Sequence, residues 1–218
     1  SVWAIQFSHN DGTPKGRING TNEVIYPMVK EYGCCGYHSP SQNLVNAFRT
    51  VNGLPDFDNY NTTDITDAAS VKKYTIDPRL LHTVAMDGLP YKYKADFIFD
   101  GKTWPRQPES YGSFLSMKEA VIFDSPCYQP VNPWKSDSKN RDVLRIDDIL
   151  LFKAEALIQL GRQDEALPLI NQIRTRAANS TALLVDVNGK PTGNFDIKTY
   201  QDGVNCVWTK AFALKALM

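Results

Sequence analysis

Between Ile146 and Ala177 apolar side chains recur at intervals of three and four residues: Ile146, Ile149, Leu150, Ala154, Leu157 and Leu160, then Ala166, Ile170, Ile173 and Ala177. That period predicts two amphipathic helices. Gly161 stands between the two stripes, where a helix end favours a left-handed residue. The run therefore predicts a helical hairpin with a very short turn. Pro168 falls near the start of the second helix, where few backbone hydrogen bonds are lost and a mild kink is the most it imposes. The hairpin holds no histidine, cysteine or glycine-rich phosphate loop, so it reads as scaffold, and chemistry is expected in the loops before it. Asp147 and Asp148 open its first helix, a place where the macrodipole favours negative charge, so they read as caps rather than as an acid/base pair.

Two apolar stripes need partners, and a chain of 218 residues is long enough to supply them, burying about 70% of its unfolded surface. At the start, Trp3, Ile5 and Phe7 alternate with Ala4 and Gln6 as in a strand. Ser8 to Glu23 is polar and reads as a loop. Ser39-Pro40-Ser41-Gln42 resembles a helix entrance, with Leu44, Val45, Ala47 and Phe48 as an apolar face up to about Val51 and Asn52-Gly53 ending it. Between Asp77 and Pro105 alternation suggests two strands. Leu81, Thr83 and Ala85 share one side of the first, Phe97 and Phe99 one side of the second, and Asp100-Gly101 is a hairpin-turn pair. Gln107 to Asn140 is largely irregular. After the hairpin, Val185 to Asp196 makes an excursion around Asn188-Gly189 before a third helix near Val204.

The expected fold class is mainly α with extensive loops and a few short strands. An irregular, loop- and strand-rich part covers residues 1–143 and a helical-repeat, tetratricopeptide-like part covers residues 144–218. Opening inside a strand and stopping inside an apolar helix, the sequence reads as cut at both ends, a piece of a longer protein. No apolar run is long enough to cross a bilayer. The 24 Lys and Arg balance the 24 Asp and Glu, so overall charge favours neither nucleic acid nor an anionic membrane.

Metal and catalytic patterns find little support. Cys34, Cys35, Cys127 and Cys206 lack the spacing of a zinc site, and the adjacent Cys34 and Cys35 are poor partners for one another. His9, His38 and His82 have no mutual spacing for a metal or a triad, and Ser39 and Ser41 lack the context of a nucleophile elbow. Asp186-Val187-Asn188-Gly189-Lys190 begins like a calcium loop, but Lys190 and Pro191 break the pattern. In Asp77-Pro78-Arg79 the arginine is expected to tie to a carbonyl or carboxylate. Neither catalysis, nor a cofactor, nor a metal is expected.

The run from Leu144 to Asn179, LRIDDILLFKAEALIQLGRQDEALPLINQIRTRAAN, resembles the C-terminal signature of the SusD/RagB family. Its pieces are Arg145, the AEAL of Ala154 to Leu157, Gly161, and Ile170-Asn171 followed by Arg174, Arg176 and Ala177. Three more pieces fall in family order: the strand Val2 to Phe7, the entrance Pro40 to Phe48 with Asn52-Gly53-Leu54-Pro55 behind it, and Asp77 to Val84. The resemblance implies the C-terminal portion of a surface glycan-binding lipoprotein of Bacteroidetes, anchored in the outer membrane by an N-terminal lipid. It also implies a SusC-like TonB-dependent transporter as partner in polysaccharide utilisation, and no catalysis. The family's lipidated leader and first helical repeats have no counterpart in this sequence.

Sugars present polar rims and apolar C–H faces, so a glycan site needs aromatic planes beside hydrogen-bonding side chains. One neighbourhood is Tyr32-Gly33-Cys34-Cys35-Gly36-Tyr37-His38, where glycines let a loop turn tightly and Tyr32, Tyr37 and His38 are presented together. A second runs from Asp100 through Trp104 and Arg106 to Tyr111, and Trp134 is a third. The same rings serve equally well as small cores under long loops. Tyr91 and Tyr93, two apart, would share a strand face and pack a sheet. Two other readings of the whole chain stay open: a helical-repeat module that binds a protein, and a glycoside hydrolase fragment with two opposed carboxylates.

Overall fold

A computed structural model describes residues 1–12, 25–33, 35–130 and 135–217. In chain order its elements are β1 (Trp3–Ile5), α1 (Gln42–Asn46), β2 (Thr50–Val51), β3 (Leu54–Pro55), α2 (Ala68–Lys73), β4 (Thr75–Ile76), α3 (Arg79–Thr83), β5 (Val84–Ala85), β6 (Pro90–Tyr91) and β7 (Lys94–Ile98). There follow α4 (Pro108–Tyr111), β8 (Leu115–Ser116), β9 (Tyr128–Gln129), β10 (Ser136–Asp137), β11 (Arg141–Leu144), α5 (Ile146–Gln159), α6 (Gln163–Ala178), β12 (Asn194–Phe195) and α7 (Lys210–Leu217). The strands pair only in twos: β1 with β11, β2 with β3, β5 with β8, β6 with β7 and β9 with β10 antiparallel, and β4 with β12 parallel. Helices with short strands in small sheets match the expected mixture.

The hairpin forms where the apolar period put it. Helices α5 and α6 are separated only by Leu160, Gly161 and Arg162, with Gly161 at φ +78°. The Asp148 carboxylate accepts the Arg145 N–H at 2.8 Å, as a cap, while Asp147 pairs with Arg176 at 2.6 Å across the hairpin. Ala154, Leu157, Ile158, Ala166 and Ile170 bury against Tyr200, Trp208 and α7. The stripe is not buried throughout. Ile146 and Ile149 are exposed, because α7 packs toward the far end of α5, where Lys210 Nζ donates to the Gln159 carbonyl oxygen at 2.8 Å, and Leu160 is exposed in the turn itself.

Arg174, on the inner face of α6, is 4% exposed and fastens the hairpin to the rest of the chain. Its guanidinium donates to the Lys198 carbonyl oxygen at 2.6 Å and to the Gly53 carbonyl oxygen at 2.8 Å, and lies 4.5 Å from the Tyr200 ring centre. One turn earlier Asn171 exchanges two hydrogen bonds with the Tyr200 backbone, at 2.9 and 2.8 Å. Burial holds the Arg174 guanidinium below its usual range. Gly53 is the second residue of a tight turn, at φ +81°, and Lys198 packs so closely over it that a Cβ there would lie 2.5 Å from Lys198 Cγ.

Several expected boundaries move. The first helix stops at Asn46, because the buried Asn46 side chain is engaged by Gln42, Asn61, Asp64 and the Ile65 N–H, and Asn52-Gly53 turns β2 into β3 instead of ending a helix. The first expected strand is instead α3 followed by β5. Asp77 accepts both the backbone N–H and the guanidinium of Arg79, which starts a turn, and Leu80, Leu81 and Val84 bury at helical spacing. Asp100-Gly101 makes no hairpin. That turn falls at Lys92-Tyr93, so Tyr91 is buried while Tyr93 is 37% exposed, and the two do not share a face. The third helix starts at Lys210, since Asn205 and Asp202 spend their side chains on the Gln201 and Trp208 N–H groups and hold the chain around Val204 in loops. The loop read from Ser8 to Glu23 lies mostly outside the described residues.

Replacing Arg174 by alanine removes two hydrogen bonds to buried carbonyls and the contact with Tyr200, and lowers the unfolding free energy by about 3 kcal/mol. Arg174→Lys restores only part of this, since an ammonium cannot present the planar fork. Urea denaturation of the three proteins checks both expectations.

Candidate functional site

The two neighbourhoods singled out in the sequence meet in space. Tyr26 closes the first loop by accepting the Cys35 and Gly36 N–H groups at 2.9 and 2.8 Å. Asp100 shapes the second. Its carboxylate takes the Lys102 N–H and the Thr103 hydroxyl at 2.8 Å each, which hold it below the usual carboxylate range, and its carbonyl oxygen takes the Trp104 N–H at 3.0 Å. The loops then interlock through backbone: Met28 N–H donates to the Trp104 carbonyl oxygen at 2.8 Å and Arg106 N–H to the Gly36 carbonyl oxygen at 3.0 Å. Gly36 makes this possible. It sits at φ +68°, and a Cβ would lie 2.6 Å from the Arg106 backbone nitrogen.

Their rings divide between inside and outside. Tyr32 is fully buried, stacked on Tyr26 at 4.8 Å, and its hydroxyl donates to the Val121 carbonyl oxygen at 3.0 Å. Burial raises its phenol well above the ordinary range. Trp104 is 8% exposed, among Phe97, Phe99 and Tyr91 at 4.8, 5.4 and 6.1 Å. Both are therefore corrected from ligand candidates to core residues. Together with Tyr26, Phe97, Phe99 and Tyr128 they build the aromatic core that the irregular region needs in place of long helices.

Tyr37 and Arg106 stay at the surface. The Tyr37 ring is 42% exposed and the Arg106 guanidinium lies 4.9 Å from its centre. His38 follows, exposed and left-handed at φ +63°. Tyr111 is 60% exposed at the end of α4, the helix that begins two residues beyond Arg106. Trp134 lies outside the described residues. Cys35 is disulfide-bonded, whereas Cys127 and Cys206 are free; the expectation about Cys34 pairing with Cys35 rests on Cys34, outside the described residues.

A groove of about 380 Å³, missed by sequence reasoning, lies between α2, the β6–β7 hairpin and the loop around Asp186, with Lys72, Pro90, Asp96 and Val187 in its walls. Asp186 Oδ1 is turned to its own loop, where it accepts the Asn188 and Lys190 N–H groups at 2.8 and 3.0 Å, which hold its carboxyl below the usual range. Aspartate two residues before Asn188-Gly189 was the sequence signal for this self-capped turn. Arg79 is likewise occupied, by a bidentate pair with Asp77.

A protein-family model described as the SusD family matches residues 1–203. The chain belongs to the SusD family. No curated protein matches it. The match takes in both interlocked loops and the whole α5–α6 hairpin. Members of the SusD family are in general non-catalytic binding proteins, and membership implies glycan binding in nutrient uptake.

The division of rings has a measurable consequence. Trp104→Ala lowers the unfolding free energy by about 3 to 5 kcal/mol, as for other buried aromatics, whereas Tyr37→Ala stays within about 0.5 kcal/mol, as for surface positions. Denaturation of both variants tests the assignment. Equal effects would mean that the rings are not divided in this way.

Proposed function

We propose that this SusD-family chain captures oligosaccharide at the bacterial cell surface and passes it to a SusC-like TonB-dependent transporter, with Tyr37, Arg106, His38 and Tyr111 as its ligand contacts. In this reading the protein is held on the outer face of the outer membrane by a lipid anchor and performs no catalysis. The α5–α6 hairpin acts as a tetratricopeptide-like brace.

The observation that carries the proposal is the Tyr37 ring, open to solvent and covered on one side by Arg106, standing on two loops whose backbones are bonded together. A tyrosine plane takes the apolar C–H face of a sugar ring, and guanidinium and imidazole N–H groups beside it reach the hydroxyls. The interlock matters as much as the ring does. Capture must offset the entropy of ordering a flexible oligosaccharide, and a platform already fixed in place adds little further cost of its own.

Family membership supports the substrate class and the partnership, since SusD proteins in general bind glycans, work with SusC-like transporters and are surface lipoproteins. The expected result of isothermal calorimetry with a panel of neutral oligosaccharides is binding of at least one. Tyr37→Ala and Arg106→Ala then each weaken it by about tenfold, a change of 1.4 kcal/mol, and leave the fold intact by circular dichroism. Binding that survives both substitutions unchanged, or no binding across the panel, contradicts the reading.

A further inference from the structure

The two-residue turn between β6 and β7 is made by Lys92 and Tyr93, both in the left-handed region at φ +50° and +66°. Such turns favour Asn-Gly or Gly-Gly, because a Cβ crowds the backbone there. A lysine and a tyrosine kept at that cost point to a use for their side chains. Lys92 folds back so that its Nζ donates to the Met117 carbonyl oxygen at 2.8 Å. The Tyr93 ring remains 37% exposed, its hydroxyl 2.9 Å from His82 Nδ1.

Around this turn the fold gathers cations from separate parts of the chain. Met117 N–H donates to the Thr83 carbonyl oxygen at 2.8 Å, laying residues 117–119 beside α3, and Glu119 is another side-chain-bearing residue held left-handed, at φ +65°. His82 Nε2 lies 3.0 Å from Ser180 Oγ, which brings in the end of α6 with Arg176. Arg176 and Arg145 share Asp147, at 2.6 and 3.9 Å, and Lys139 reaches Glu119 at 3.7 Å.

Lys118 stands exposed among these groups and makes no ion pair among the described residues. Although the residue as a whole is exposed, partial burial of its ammonium and the charges of Arg145, Lys139 and Arg176 hold it below the usual lysine range. Burial together with Lys139 and Lys118 pushes Lys92 down to about 8. Lys92, Lys118, Lys139, Arg145 and Arg176 thus stand near one another with Glu119, Asp137 and Asp147 as acidic neighbours, in a chain whose 24 basic and 24 acidic residues otherwise balance. Like charges held together repel until an anion joins them.

We propose that this cluster, centred on Lys118 and bordered by the exposed Tyr93 ring, binds the oxyanion of an acidic saccharide, a uronate carboxylate or a sulfate ester. The site adds to the Tyr37–Arg106 platform and rests on the reading of the chain as a glycan-capture protein. Lysine and arginine supply charge-assisted hydrogen bonds to either oxyanion, and Tyr93 supplies the plane for the sugar that carries it.

The test uses calorimetry on the full chain with an oligogalacturonate, a sulfated galactan oligosaccharide, neutral oligosaccharides of matching length, and inorganic sulfate. At least one acidic probe binds about tenfold tighter than its neutral counterpart, and added sodium chloride weakens it. Lys118→Glu abolishes that advantage, leaves neutral binding unchanged and melts no lower than the parent at low salt, since it removes a repelled cation. Which acidic probe responds separates carboxylate from sulfate recognition. If neutral sugars bind through Tyr37 while neither acidic probe gains over them, or Lys118→Glu changes nothing, this site is overturned and the platform stands. Inorganic sulfate binding as tightly as the sulfated sugar removes the saccharide from the proposal. Binding of no saccharide at all overturns both readings.

Discussion

A buried guanidinium with no side-chain carboxylate bonded to it among the described residues is what the two ends of this structure have in common. Arg174 projects from α6 into the seam between the helical hairpin and the loops, and its donors end on the backbone carbonyl oxygens of Gly53 and Lys198. Burying such a charge is costly unless its hydrogen bonds are made. The hairpin, the turn at Asn52-Gly53 and the segment leading to α7 must therefore arrive together. Gly53 serves this seam by its positive φ and by the space it leaves for Lys198. The position of Arg174 within the family signature thus has a mechanical reason: it closes the joint on which the loop region is mounted.

That joint explains how a region with few long elements keeps a defined shape. Strand pairs of two to five residues contribute little alone. The loop region instead condenses around Tyr26, Tyr32, Tyr91, Phe99, Trp104 and Tyr128, whose rings meet stacked or edge to face. The Tyr26 hydroxyl donates to the buried Asp137 at 2.7 Å, so this core also carries a satisfied polar contact. Most loop aromatics are thereby structural, and Tyr37, Tyr93 and Tyr111, which stay at the surface as Trp3 does on β1 and Phe152 on α5, stand out against that background.

The sequence was most legible where a period repeats. The stripes from Ile146 to Ala177 and the glycine between them located α5 and α6 closely, because helix packing along a long face leaves many consistent signals. Short elements carried no such redundancy. Leu81, Thr83 and Ala85 alternate like a strand, yet the Asp77–Arg79 contact starts a helical turn, and Lys92-Tyr93 gives no glycine to mark its reversal. For the candidate site the two loops that interlock were legible, since glycines among aromatics are visible in the sequence. Which ring points inward was not, because Tyr32 and Tyr37 have similar local context and only the Gly36–Arg106 approach, fixed by tertiary packing, decides between them. The cation cluster was invisible for the same reason: Lys92, Lys118, Lys139 and Arg176 are far apart in a chain of balanced charge.

On the proposed function the helical hairpin is a passive support, and sugar recognition falls to the interlocked loops. Hydrogen exchange of the full chain, with and without a bound neutral oligosaccharide, tests that division most directly. Protection on binding is expected at residues 36–38 and 104–111, with α5 and α6 unchanged. Protection concentrated on the outer faces of α5 and α6, with residues 36–38 exchanging as in the free protein, would contradict it.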